Sequence, residues 1–133
     1  MEQITVPALI GYLNEIFVFV ESAARIAGMD DKQQNSLKIA VEEIFVNIAS
    51  YAYSSGEGDV TVRFSYDQEK LVFEFEDSGL PYDPLAKSDP DISLSVDERE
   101  IGGLGVFMVK KLMDNLEYRY EEGKNILTIE KYL

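Results

Sequence analysis

Between Leu37 and Phe75 the spacing of apolar residues changes period once, from helical to two-fold, and that change limits the fold more than any other feature of the chain. Leu37, Val41, Ile44 and Ile48 recur at offsets of four, three and four, the one-face repeat of an amphipathic helix. With Asp30 or Asp31 as its cap, the helix is expected to run to about Ser54. Beyond a Ser-Ser-Gly turn, Val60, Val62, Phe64 and Tyr66 alternate with Thr61, Arg63 and Ser65. After a second turn at Asp67 to Lys70, Leu71, Phe73 and Phe75 repeat the pattern. Such alternation marks half-buried strands, so this half of the chain reads as a helix feeding an antiparallel hairpin.

The flanking segments extend that plan. Ile4, Val6 and Leu9 form a short apolar opening suited to an edge strand, with Pro7 holding the residue before it extended. From Ala8 to Ala27 the residues Leu13, Ile16, Phe17, Val20 and Ala24 keep to one helical face, and Gly28 stands where a left-handed cap is usual. From Leu80 to Ile101 no periodicity survives, and Pro81, Pro84 and Pro90 interrupt it; a stretch of that length in a small domain is expected to be a lid or binding loop. Gly102-Gly103-Leu104-Gly105 then opens a helix carrying Val106, Val109, Leu112 and Met113. Leu116, Tyr118 and Tyr120 alternate in a strand, Glu122 to Asn125 is read as its turn, and Ile126 to Tyr132 as the last strand. The expected fold is α+β: a two-layer sandwich of a mixed, mainly antiparallel sheet with helices on one face. One domain would span residues 1–133, with the lid between the second hairpin strand and the third main helix.

Composition removes several kinds of chemistry. No histidine is present, which excludes Ser-His and Cys-His dyads, His-ligated metals and an internal phosphohistidine; the lack of cysteine excludes disulfides and thiolate catalysis. A formal charge of -13 disfavours attraction to nucleic acid or an anionic membrane and suits a basic protein partner. No apolar run approaches membrane-spanning length, and Met1-Glu2-Gln3 lacks the charged start of a signal peptide, so a cytoplasmic location is expected.

Three motifs carry possible chemistry. Glu43 and Asn47 lie four apart on the flank of the central helix's apolar stripe, where a carboxylate and a carboxamide face one small volume, one able to take a proton and both able to offer oxygen to a hard cation. Asp77 ends the hairpin and is followed by Gly79; a buried carboxylate there suits an exocyclic amine, and the glycine admits a flat ring, although Asp-x-Gly alone is also a common turn. Gly102, Gly103 and Gly105 before a helix suit an anion, since their amides can approach it and the helix start is positive, but they match neither a dinucleotide fingerprint nor a P-loop. Thr128, inside the last strand, is a weaker candidate for the same pocket and otherwise a cross-strand residue.

In this order, over one domain, the motifs resemble the GHKL ATP-binding family of gyrase, a heat-shock chaperone, sensor histidine kinases and mismatch-repair proteins. The chain is most similar to its branch of bacterial anti-sigma factor serine kinases, a likeness that covers nearly its whole length. The resemblance implies ATP or ADP held between sheet and lid, with Glu43 as catalytic base and Asn47 as the Mg²⁺ residue. It implies Asp77 on the adenine amino group, Gly79 beside the base, Gly102, Gly103 and Gly105 as the phosphate loop, and Thr128 near adenine. It also implies a basic lid residue on the terminal phosphate, for which Arg99 is nearest, and Tyr51 stands where many relatives have histidine. The function implied is a homodimeric serine kinase that binds a sigma factor and phosphorylates that factor's antagonist. The alternative is a nucleotide-responsive binding module without kinase activity; a detached histidine-kinase catalytic domain is a third reading.

Overall fold

A computed structural model describes residues 2–53, 57–86 and 103–133. Five strands, β1 (Glu2–Pro7), β2 (Asp59–Tyr66), β3 (Lys70–Asp77), β4 (Asn115–Glu121) and β5 (Lys124–Tyr132), form one sheet in the order β1-β2-β3-β5-β4. Three helices, α1 (Leu13–Ile26), α2 (Asp31–Tyr51) and α3 (Gly103–Leu112), cover one face. The expected α+β sandwich is present, with one correction: every strand pair is antiparallel, so the sheet is not mixed. Each connection returns the chain against its neighbour's direction, and no parallel crossover is made among the described residues.

The period change fixes which side each element buries. Val60, Val62 and Phe64 of β2 and Leu71, Phe73 and Phe75 of β3 point at the helices, where Leu37, Val41, Ile44 and Phe45 of α2 meet them. Phe45, Phe73 and Phe75 are fully buried, and each contributes about 1.5–3 kcal/mol through its apolar surface. The opposite face carries ion pairs instead: Glu76 accepts from Arg63 at 2.6 Å and lies 3.4 Å from Lys124, and Arg119 lies 3.6 Å from Glu74.

Element ends follow local chemistry. Asp30 caps α2: its carboxylate accepts the Gln33 amide at 2.8 Å while Gln33 Oε1 accepts the Asp30 amide at 3.2 Å. Gly28, at φ +78°, ends the first helical segment as expected. That segment begins later than its apolar pattern suggests, because β1 continues to Pro7, Leu9 is extended and a 3₁₀ turn occupies Ile10–Tyr12 before α1 starts at Leu13. α2 closes at Tyr51 rather than near Ser54. The β4–β5 connection is tighter than expected: Glu122 (φ +54°) and Gly123 (φ +79°) make the turn alone, so Asn125 belongs to β5. No described helix is long and apolar enough to cross a membrane.

Candidate functional site

On β3 the inward file Leu71, Phe73, Phe75 continues to Asp77, so two-residue alternation delivers a carboxylate to the rim of the core. Asp77 is only 6% exposed. Its Oδ1 accepts two hydrogen bonds, from the Gly79 amide and from Asn125 Nδ2, both at 2.9 Å; no described residue donates to Oδ2. Burial pushes the carboxyl above its usual range; the bonds from Asn125 and Gly79 oppose that rise, and the Glu76 charge adds to it.

Asn125 sits on the neighbouring strand, paired in register with Asp77. Its Nδ2 donates to Asp77 and to the Leu80 carbonyl at 2.9 Å, with the Gly79 carbonyl at 3.4 Å. Its Oδ1 accepts from the Tyr82 amide at 3.1 Å and from the Tyr118 hydroxyl. Burial raises the Tyr118 phenol, so the hydroxyl keeps the proton it donates. Neighbouring Tyr53 braces the same corner, accepting the Ser78 amide at 2.8 Å and donating to the Asp59 carbonyl at 2.6 Å.

Asp77, Asn125, Glu43 and Asn47 all line one cavity of about 350 Å³, within the range of small-molecule sites. Its walls are apolar, with Ile44, Ile48, Phe75, Leu85, Val109 and Leu127 among them. Glu43 and Asn47 are half-buried one turn apart on α2, and neither side chain has a partner among the described residues. Val106, Met108 and Val109 of α3 line the same cavity, which puts the start of that helix beside it. Gly103 and Gly105 lie in the first turn of α3, where backbone amides lack intrahelical acceptors. Tyr51 is a further wall residue.

Arg99, Gly102 and most of the expected lid, residues 87–102, lie outside the described residues. Thr128 does not face the cavity, which is a correction. Its register partners are Glu74 and Glu117, on the face away from the helices, and its β5 neighbour Leu127 lines the cavity instead. Asn125 lies three residues back, an odd number along a strand, and therefore points the opposite way. Gly79 is close to the site but does not line it: a Cβ there would lie 2.1 Å from the Ala52 carbonyl oxygen, so what approaches its backbone is the end of α2 rather than an open ring slot. A Gly79→Ala variant is expected to lose about 1–3 kcal/mol of stability through this clash, read as a lower urea midpoint at unchanged slope.

Asn125 and Tyr118 are the polar cavity residues that sequence reasoning missed. Counting back from Ile129 and Leu127 by twos lands on Asn125, and that is the signal which would have found it.

No cluster of three or more acidic, histidine or cysteine side chains occurs among the described residues. Magnesium needs no such cluster, since it keeps several waters and takes one or two protein oxygens alongside phosphate. The unpartnered oxygens of Asn47 and Glu43 fit that donor set. No lysine or arginine among the described residues lines the cavity.

A model for the histidine kinase-like ATPase domain matches residues 6–131. Among characterised proteins, the serine-protein kinase RsbW of Listeria monocytogenes is 29% identical over 132 residues, covering 96% of this chain and 83% of that one. The serine-protein kinase RsbW of Bacillus cereus is 27% identical over 135 residues, covering 98% and 84%. Among solved structures, the RsbU and RsbW domains of Rv1364c from Mycobacterium tuberculosis superpose with a TM-score of 0.63 at 12% identity, over 98% of this chain and 32% of that one. The catalytic domain of histidine kinase ThkA gives 0.57 at 14% identity, over 99% and 97%. At such identities the structural likeness speaks for the fold alone.

Proposed function

This chain belongs to the histidine kinase-like ATPase domain family, and we propose that within it the chain is a single-domain, ATP-dependent serine-protein kinase acting as an anti-sigma factor, which phosphorylates the sigma factor's antagonist on serine. The observation that carries the reading is the convergence on one apolar cavity of Asp77, with an oxygen that no described residue engages, and of Glu43 and Asn47, with no partners among the described residues. The resemblance to named serine-protein kinases over nearly the whole chain supports it.

In this reading adenine enters between α2 and β3, and its amino group donates to Asp77 Oδ2. The phosphates extend toward the start of α3, where Gly103 and Gly105 let backbone amides approach. Asn47 would hold Mg²⁺, with Glu43 beside it, and the metal would supply positive charge to the phosphates, which no described lining residue supplies. Glu43 accepts the proton of the antagonist's serine hydroxyl as that oxygen forms a bond to the terminal phosphorus. The bond from phosphorus to the bridging oxygen breaks, and ADP and phosphoserine result. The net charge of -13 suits a partner with a basic contact surface.

The test is incubation of the full chain with radiolabelled ATP, Mg²⁺ and the cognate antagonist. Phosphoserine on the antagonist is expected. Nucleotide binding without transfer would leave a nucleotide-responsive binding module, and no binding of ATP with Mg²⁺ by calorimetry would remove both readings.

A further inference from the structure

We propose that Asn125 is a positioning residue that sets purine selectivity, by holding the Asp77 carboxylate so that only one of its oxygens is open to a ligand. The inference rests on the reading of the cavity as an ATP site and adds a residue to its base-recognition end.

The geometry carries it in three steps. First, the orientation of the Asn125 amide is decided by chemistry: the Tyr82 backbone amide and the Tyr118 hydroxyl both address one atom, which must be the acceptor Oδ1. The other atom faces the Leu80 carbonyl and the Asp77 carboxylate, so it must be the donor Nδ2. Every polar atom of this buried side chain is then engaged, and a flipped amide would set like against like at the Tyr82 amide, the Asp77 carboxylate and the Leu80 carbonyl.

Second, Nδ2 and the Gly79 amide converge on the same oxygen of Asp77, each at 2.9 Å. Two donors on Oδ1 fix the carboxylate plane and leave Oδ2 without a described donor, on a side chain that lines the cavity. An acceptor so placed favours a base that presents an amino group and opposes one that presents a carbonyl oxygen at the same position. Third, the bonds to Leu80 and Tyr82 tie the segment after β3 to the same side chain, so the wall beside the base and the acceptor that reads it share one anchor. With Asn125 removed, the carboxylate retains only the Gly79 bond and can turn, exposing either oxygen or taking up water.

Inosine triphosphate, which carries a carbonyl oxygen where ATP carries the amino group, is the discriminating probe. Dissociation constants for ATP and inosine triphosphate with Mg²⁺ are measured by calorimetry on the full chain and on Asn125→Ala. The parent chain is expected to prefer ATP by at least about a hundredfold. Asn125→Ala is expected to bind ATP about tenfold or more weakly and inosine triphosphate within about threefold of the parent, so that the preference falls below about tenfold. Parallel weakening of both nucleotides, or an unchanged preference, would overturn the proposal, since a merely structural role moves both alike. Should Asn125→Ala not fold, Tyr118→Phe decides: it removes one of the two donors on the Asn125 Oδ1 and is expected to lower the preference about threefold, whereas an unchanged preference overturns the proposal. If the parent chain binds neither nucleotide, the ATP-site reading itself fails and takes this one with it.

Discussion

An Asp77→Asn variant is expected to lose about a hundredfold or more in ATP affinity while folding at least as stably at neutral pH as the parent chain. The two halves of this result have one cause. Asparagine can keep the bonds from Gly79 and Asn125 on its own carbonyl oxygen, but its amide nitrogen then stands where Oδ2 stood and meets the adenine amino group donor to donor. For the empty protein the exchange is favourable, because burial holds the Asp77 carboxyl above its unfolded value. A group raised in this way contributes stability that is complete below the unfolded pKa and is lost as pH rises through the folded one. Above that folded pKa the parent therefore carries an ionised carboxylate that the fold disfavours, and the variant does not. Urea melts at pH 7 and in steps downward should show the variant's advantage shrinking as Asp77 takes up its proton, with calorimetry reporting the affinity. An equal ATP affinity would remove Asp77 as the reader of adenine; a stability advantage that grew on acidification would contradict the sign of the shift.

Glu43→Gln is expected to reduce phosphate transfer to the antagonist by about 10²- to 10⁴-fold, with ATP affinity unchanged or tighter. The glutamine is nearly isosteric but takes no proton at neutral pH. Glu43 makes no hydrogen bond or ion pair with a described residue, so the nearly isosteric substitution breaks no polar interaction that the structure displays. Removing a negative charge beside the triphosphate favours binding if it changes it at all. Single-turnover transfer of labelled phosphate, run beside a binding titration, separates the two effects. Transfer at the parent rate would eliminate Glu43 as the base, and a joint loss of binding and transfer would make it a binding residue.

Much of this was legible in the residues because the signals were local. The change of hydrophobic period specified α2 and the β2–β3 hairpin, the Asp30-Asp31 pair announced its cap, and continued alternation along β3 carried Asp77 inward. Glu43 and Asn47 could be placed on one helical flank by counting alone. What could not be read depended on one turn. A two-residue connection with both φ values positive is ordinarily announced by Asn-Gly or Asp-Gly, and here Glu122 occupies the first position, where a glutamate pays a steric cost. Read as a four-residue turn, Glu122 to Asn125 took the asparagine out of the strand, and the pocket residue was then sought at Thr128, which points away from the helices. Gly79 was misread for a different reason. Its role depends on the end of α2, a contact across 27 positions of sequence that no local pattern encodes.

The contact between Gly79 and Ala52 has a companion bond, from the Leu80 amide to the Ala52 carbonyl at 2.9 Å. Helix ends normally fray, since their last carbonyls have no partner within the helix. Here the Ala52 carbonyl is taken by the segment that leaves Asp77, and the next residue, Tyr53, holds the Ser78 amide. The end of the helix that bears Glu43 and Asn47 and the exit of the strand that bears Asp77 are thus joined by two hydrogen bonds. The two ends of the cavity are thereby tied through the backbone at this joint, with no direct bond between Asp77 and either Glu43 or Asn47 among the described residues.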